Sequence, residues 1–376
     1  MRVFQRVVLL AVGEVLTLAR HTVTQILMTL GWTERDWKAW YQVFREERFP
    51  YMQVARQLVE EYLRHVKGEW MVVVGDATTT LRSSQKIEGV GWLPHPKTAP
   101  FKKGLGLLQR WFHLAWLTPA EDGYSRALPL LWVPAFTQKS HRKKHPARKE
   151  TRAALVALYW LRWVLKALGR GKMRVLMLGD GRYDQVKMWR WLPSKVVLLA
   201  RSAKNRCLYF LPTPEMRANR LYGEKAPTPQ EVWRERKGWR KVTVHVRGRD
   251  RHLQVKVIGP VLRRRAPHRT LFLIVVRGKD RKKGKKYVRR EPLPFLVNAV
   301  CNEQGEWVLP LPVEELLFWA WQRWEIEVTQ RELKSAFGLG EKQCWRPESA
   351  VLSVQWSAWV YAVLVLAGYR AWGVTG

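Results

Sequence analysis

The run Val175-Leu-Met-Leu-Gly179-Asp180 decides how this chain is read. Four apolar residues bounded by a glycine and an aspartate are too few for a typical helix and read as a buried strand. The same pattern stands earlier in Met71-Val-Val-Val-Gly75-Asp76. Working outward, Arg110–Leu117, Leu128–Val133 and Val196–Ala200 read as further strands, and Thr151 to about Leu168 and Val186–Leu192 as helices. The order is strand, strand, strand, helix, strand, helix, strand, which predicts an α/β sheet with helices packed on it. Asp76 and Asp180 then fall at strand ends. An aspartate there is ordinarily a turn residue, yet groups just beyond strand carboxyl ends are also where α/β sheets hold ligands. Two such carboxylates together are a candidate site for a hard cation, with Mg²⁺ first in line because it prefers oxygen ligands.

Charge narrows the partners. Lys and Arg number 67 against 31 Asp and Glu, a net charge of +36 over 376 residues. With 47% hydrophobic residues the chain can bury a core, so a disordered basic tail is excluded. A cationic folded chain points to nucleic acid, with an anionic membrane surface as the weaker reading. Cys207, Cys301 and Cys344 are odd in number and widely spaced, against a disulfide framework or structural zinc and in favour of free thiols in a reducing cytoplasm. Gly13 and Glu14 interrupt the apolar start, so no signal peptide is expected. Ser349–Tyr369 carries no charge and has the length of a bilayer span, but Ser349, Ser353, Gln355 and Ser357 fill its first half. A buried C-terminal helix is therefore expected ahead of a membrane anchor.

Four segments follow. Residues 1–68 read as helical, with His21–Gly31 and Trp37–Phe44 forming either an ordinary helical hairpin or a helix-turn-helix DNA reader. Residues 69–200 and 310–376 form the α/β part, and 201–309 a β-rich insertion containing Val242–Arg247, Leu253–Ile258 and Leu271–Val276. Basic loops accompany these strands. Arg142, Lys143 and Lys144 in the 139–149 stretch, and Lys282 and Lys283 in the 279–286 stretch, are candidate phosphate contacts, although a basic loop is usually just a solvated surface.

A long helix is expected over Val313–Phe337, stopped by Gly338 and Gly340. Arg323, Glu327, Gln330, Arg331 and Lys334 share one of its faces. That pattern suits a salt-bridge ladder worth roughly 0.3–0.5 kcal/mol per pair. It equally suits a third metal carboxylate, Glu327, flanked by the phosphate-holding cations Arg323, Arg331 and Lys334. Glu325 and Glu332 lie on other faces.

These motifs carry a resemblance. Gly75-Asp-Ala-Thr-Thr79 with Lys86–Gly91, Leu178-Gly-Asp-Gly-Arg-Tyr183, and Arg323, Glu327 and Lys334 resemble the three catalytic blocks of bacterial insertion-sequence DDE transposases of the IS4 and IS701 type. The tyrosine of the family's last motif is Ala320 here, a departure. The resemblance implies an RNase H-like mixed sheet flanked by helices, with a β-rich insertion before the catalytic helix. It implies Asp76, Asp180 and Glu327 as catalytic residues and ligands of two Mg²⁺ ions, Mn²⁺ being able to substitute. Double-stranded DNA, terminal inverted repeats and target alike, is the implied partner, acted on by a homodimer in a bacterial cytoplasm, at the nucleoid and away from membranes. An aromatic from the insertion would assist hairpin formation, with Trp233, Trp239 and Trp307 as candidates. A nuclease or resolvase without strand transfer, and a silent domesticated DNA-binding protein, are the competing readings.

Overall fold

The computed structural model describes residues 2–34, 36–45, 51–95, 104–142, 144–216, 219–277 and 291–374, with two short strands at 281–283 and 286–288. Four helices come first, α1 (Arg2–Leu16), α2 (Val23–Thr29), α3 (Lys38–Arg45) and α4 (Tyr51–Leu63). The α/β part follows as β1 (Trp70–Leu81), β2 (Val90–Pro94), β3 (Leu105–Leu117), β4 (Ala127–Pro134), α5 (Glu150–Ala167), β5 (Arg174–Gly179), α6 (Val186–Trp191) and β6 (Val196–Arg201). Next are β7 (Leu208–Phe210), β8 (Lys225–Ala226), α7 (Pro229–Arg234), β9 (Arg240–His245), β10 (Asp250–Arg263) and β11 (Ala266–Arg277). Then come β12 (Arg281–Lys283), β13 (Lys286–Val288), β14 (Leu293–Asn298), β15 (Val300–Cys301) and β16 (Trp307–Val308). The chain closes with α8 (Val313–Gln322), α9 (Glu325–Ser335) and α10 (Pro347–Trp372).

Twelve strands form one mixed sheet among the described residues, ordered β2-β3-β1-β5-β6-β14-β11-β10-β7-β8, with β4 also on β3 and β9 also on β10. β1 runs antiparallel to β3 and parallel to β5, and β5 parallel to β6. This large mixed sheet flanked by helices is consistent with a DDE/RNase H-like fold. β2 is a strand that the apolar runs did not announce. Within 201–309, β12–β13 and β15–β16 form separate two-stranded sheets, while β7–β11 and β14 join the same large sheet, since β14 pairs antiparallel with β6. Asn298 locks that joint, accepting the Leu198 N–H at 2.6 Å and donating to the Val196 carbonyl.

Both faces of the central strands are covered, which is why they read as unbroken apolar runs. Met71, Val73, Val175, Met177 and Leu198 face a core built with α4, α5 and α10. Val72, Val74, Leu176, Leu178, Val197 and Leu199 face the opposite core, built with α8 and with Ile326 of α9. α10 is long and apolar enough to cross a membrane, but 78% of its apolar window is buried inside the protein. Ser353 and Ser357 bond within the protein, and Gln355 donates to the Trp132 carbonyl, as a core helix requires. α1 docks through a buried ion pair, Glu14 with Lys342 at 2.7 Å, joined by Ser357 and Trp356 of α10.

The helix expected over Val313–Phe337 is two helices. Around Arg323 and Trp324 the bonds tighten, with Trp324 N–H reaching the Trp321 carbonyl and Glu327 N–H the Trp324 carbonyl. Neither glycine nor proline stands there. The flanks are instead tied outward: Gln322 donates to the Gly123 carbonyl at 2.9 Å, and Glu325 pairs with Arg247 at 2.7 Å.

Candidate active site

Strand parity aims the carboxylates. Even-numbered residues of β1 and β5 face α8 and α9, so Asp76 and the residue just past β5, Asp180, continue the rows of Val72 and Val74 and of Leu176 and Leu178. Asp76 does not end its strand, as the sequence suggested; β1 runs on to Leu81. The parallel ladder with β5 stops at Val74 opposite Leu178, so the chain beyond it keeps only its β3 partner. Asp76 is thus mid-strand at the point where the neighbouring strand ends, a gap that a carboxylate can occupy. Gly75 makes this possible: a Cβ there would lie 2.5 Å from the Phe112 ring.

Asp180 opens the turn after β5. Its Oδ1 accepts the Arg182 N–H at 2.8 Å, so it is a turn residue as well as a cleft residue. From the other side α9 brings Glu327, whose Oε1 takes Arg323 at 2.8 Å. Asp76, Asp180 and Glu327 line one cleft of about 380 Å³, with Gly181, Arg201, Ser202, Ala203, Arg206 and Arg323 completing its walls. The two other helix carboxylates are engaged elsewhere, Glu325 by Arg247, Glu332 by Arg126 and Tyr361.

The carboxylates act on one another. Burial pushes Asp76 up from the ordinary carboxylate range to about 6, and the charges of Asp180 and Glu327 add to this. The Ala77 N–H, 2.8 Å from its Oδ1, and the Arg323 charge pull the other way. Opposite Asp76 across the sheet is His113, fully buried, stacked on Trp132 at 4.3 Å and held down to about 3 by burial and then by Lys334. Lys334 donates to Thr78 Oγ1 at 2.5 Å, two residues along the strand face from Asp76.

The donor set is all carboxylate oxygen, which fits a hard divalent cation. Among the described residues no three His, Cys, Asp or Glu already converge at metal-ligand spacing, and Glu327 is engaged by Arg323. The three carboxylates share the cleft with Arg201, Arg206 and Arg323, so it presents carboxylate oxygens and guanidinium groups together.

Of the other predicted contacts, Arg323 lines the cleft, Lys334 stands beside it on Thr78, and Arg331 is exposed. Arg142 and Lys144 are exposed on a loop pinned to Glu88, and Lys144 also pairs with Glu348 at 3.0 Å. Lys143 lies outside the described residues. Lys282 and Lys283 are in β12, and their side chains lie outside the description as well. Trp233 and Trp239 are packing residues, Trp239 carrying Lys256 and Arg277 over its ring, while Trp307 is partly exposed on β16.

Sequence reasoning did not single out Arg201, Ser202, Arg206 or the aromatics nearest the cleft. Arg201 was within reach, since Val197, Leu199 and Arg201 alternate toward one face. A second cavity of about 380 Å³ shares Arg201 and Arg323 with the cleft. Trp321, Trp324, Phe295 and Arg247 are among its lining residues, so its aromatic wall comes chiefly from the α8–α9 joint.

Three carboxylates and three arginines thus meet in one cleft of a strongly basic α/β chain. The family model described as DDE superfamily endonuclease matches residues 3–258, about two thirds of the chain, and the chain belongs to that family. Membership makes it an enzyme acting on DNA, in a superfamily whose members generally use divalent metals. The match includes Asp76 and Asp180 and stops short of Glu327. No curated protein matches the chain.

Proposed function

We propose that the chain is a bacterial insertion-sequence transposase of the IS4/IS701 type, cutting the ends of its element and joining them to target DNA. The observation that carries this reading is the meeting of Asp76, Asp180 and Glu327 in one cleft walled by Arg201, Arg206 and Arg323. Asp76, Asp180 and Glu327 would hold two Mg²⁺ ions, with Mn²⁺ as a substitute. Such ions supply Lewis-acid activation of an attacking oxygen and stabilisation of a leaving one. Arg201 and Arg323 present guanidinium forks to phosphate oxygens. Lys334, beside Thr78, adds a positive charge along the strand. The cavity lined by Trp321 and Trp324 suits an unstacked base at the cut end, since aromatic faces accept any base. Joining two ends calls for a homodimer, and the three thiols and basic charge suit a nucleoid-associated cytoplasmic protein.

The test uses labelled duplexes carrying the DNA that flanks the gene, incubated with Mg²⁺, with EDTA, and with Glu327→Gln. Metal-dependent cleavage and strand-transfer products that disappear in the variant, while DNA binding persists, are expected. Cleavage without joining to an added target would reduce the protein to a nuclease. Binding with no products in any divalent metal would leave a DNA-binding protein only.

A further inference from the structure

Four residues past Asp180, Asp184 has a fully buried carboxylate with four donors on it. Its Oδ1 accepts Trp189 Nε1 at 2.9 Å and Arg263 Nε at 3.1 Å. Its Oδ2 accepts Ser202 Oγ and Arg206, each at 2.7 Å. One buried carboxylate thus serves two guanidiniums, and the two differ in where they point. Arg263 is a strand residue of β10 with a side chain only 10% exposed. Arg206 follows β6, is 24% exposed and lines the cleft of Asp76, Asp180 and Glu327.

Arg206 is held from behind. Its Nη2 is on Asp184, and its Nε reaches Ser202 Oγ at 3.4 Å. Among the described residues Nη1 has no protein partner, so two N–H groups remain for a ligand at the cleft. A salt bridge serving the fold alone would not need to sit at the mouth of a carboxylate cleft. A guanidinium whose orientation is fixed before binding spends little entropy on gripping a phosphate.

We propose that Arg206 holds a DNA backbone phosphate neighbouring the scissile one, and that Asp184 is the positioning residue that fixes Arg206 for this contact. The inference rests on the cleft being the DNA-cleaving site, and its test separates the two.

Duplexes in which one phosphate at a time is a neutral methylphosphonate are bound by the full chain in EDTA, where no cleavage occurs. The wild type is expected to lose about tenfold in affinity at one phosphate near the junction, the scale of a lost charge-assisted contact. Arg206→Ala should bind the unmodified duplex about tenfold more weakly and be blind to that one substitution. Arg206→Lys, which keeps the charge and loses the fork, should retain part of the sensitivity. Asp184→Asn should weaken it, and combining Asp184→Asn with Arg206→Ala should cost no more than Arg206→Ala alone, because Asp184 acts through Arg206. If Arg206→Ala, which leaves Asp184 three of its donors, keeps the wild-type interference pattern at every phosphate, the clamp is overturned, whatever Asp184→Asn does to folding. Absence of cleavage by the wild type in any divalent metal would instead overturn the transposase reading and leave the interference result to judge the clamp.

Discussion

Asp76 carries most of what can be measured at the scale of one residue. Its ordinary pKa is near 4, and burial with two neighbouring carboxylates lifts it to about 6 in the folded protein. Between those values the folded state holds a proton that the unfolded chain has released, so this group's contribution to stability falls as pH rises across the window. Above about pH 6 the whole cost is present. Asp76→Asn should therefore raise Tm in EDTA at pH 7.5 and change it little at pH 4, by thermal melts. Bound Mg²⁺ needs the ionised form, so its stabilisation of the wild type should grow from pH 5 to 7.5 and vanish in Asp76→Asn. A pH-independent Mg²⁺ effect would count against Asp76 as a ligand. Asp76 and Asp180 were legible because each follows an apolar run and a glycine, and Glu327 because of its helical spacing to Arg323 and Lys334. Asp184 was not legible, since its donors come from α6, the loop after β6 and β10, up to 79 positions away.

At the scale of elements, the central strands were readable because both of their faces are apolar. Their lengths were not, since β1 continues through Asp76 on the strength of its β3 partner alone. The α8–α9 joint was invisible for a related reason. Apolar periodicity continues across it, and the bonds that tighten it, Gln322 to Gly123 and Glu325 to Arg247, come from distant loops. Close approach of β1 to β3 at Gly75 leads to a second expectation. Gly75→Ala should destabilise by about 1–3 kcal/mol, because the added methyl meets Phe112 and Met177 in a filled core. Equilibrium urea unfolding would show this, and a neutral substitution would mean that β1 and β3 separate easily at the site. Arg247→Ala frees Glu325, 9% exposed, from its partner and should loosen the joint that carries Arg323 and Glu327. Single-turnover cleavage should then fall by more than DNA binding does.

For the whole molecule, charge and continuity dominate. With +36 on the chain, contacts to six to ten phosphates would make affinity for DNA fall by roughly 10³–10⁵ between 50 and 200 mM salt. A shallow salt slope in a filter-binding titration would show that most of these cations do not reach the backbone. The helical N-terminal region is anchored by the buried Glu14, which pairs with Lys342 just before α10 and bonds Trp356 and Ser357 within it. Lys342→Met would strand the Glu14 charge and should cost about 3–5 kcal/mol, visible in the same urea titration. The junction of β14 with β6 has a different kind of consequence. A segment that begins and ends on the same sheet cannot be lifted out as a cassette. Removing residues 202–309 would bare β6 as a long apolar edge, open to pairing with any other exposed strand. Relatives with shorter versions would have to trim from the free margin at β8 inward, one strand at a time, keeping β14 as the last to go. Chimaeras that swap the whole stretch at its sequence boundaries are expected to aggregate, whereas chimaeras that keep the native β14 on β6 and exchange only strands nearer the β8 margin should fold.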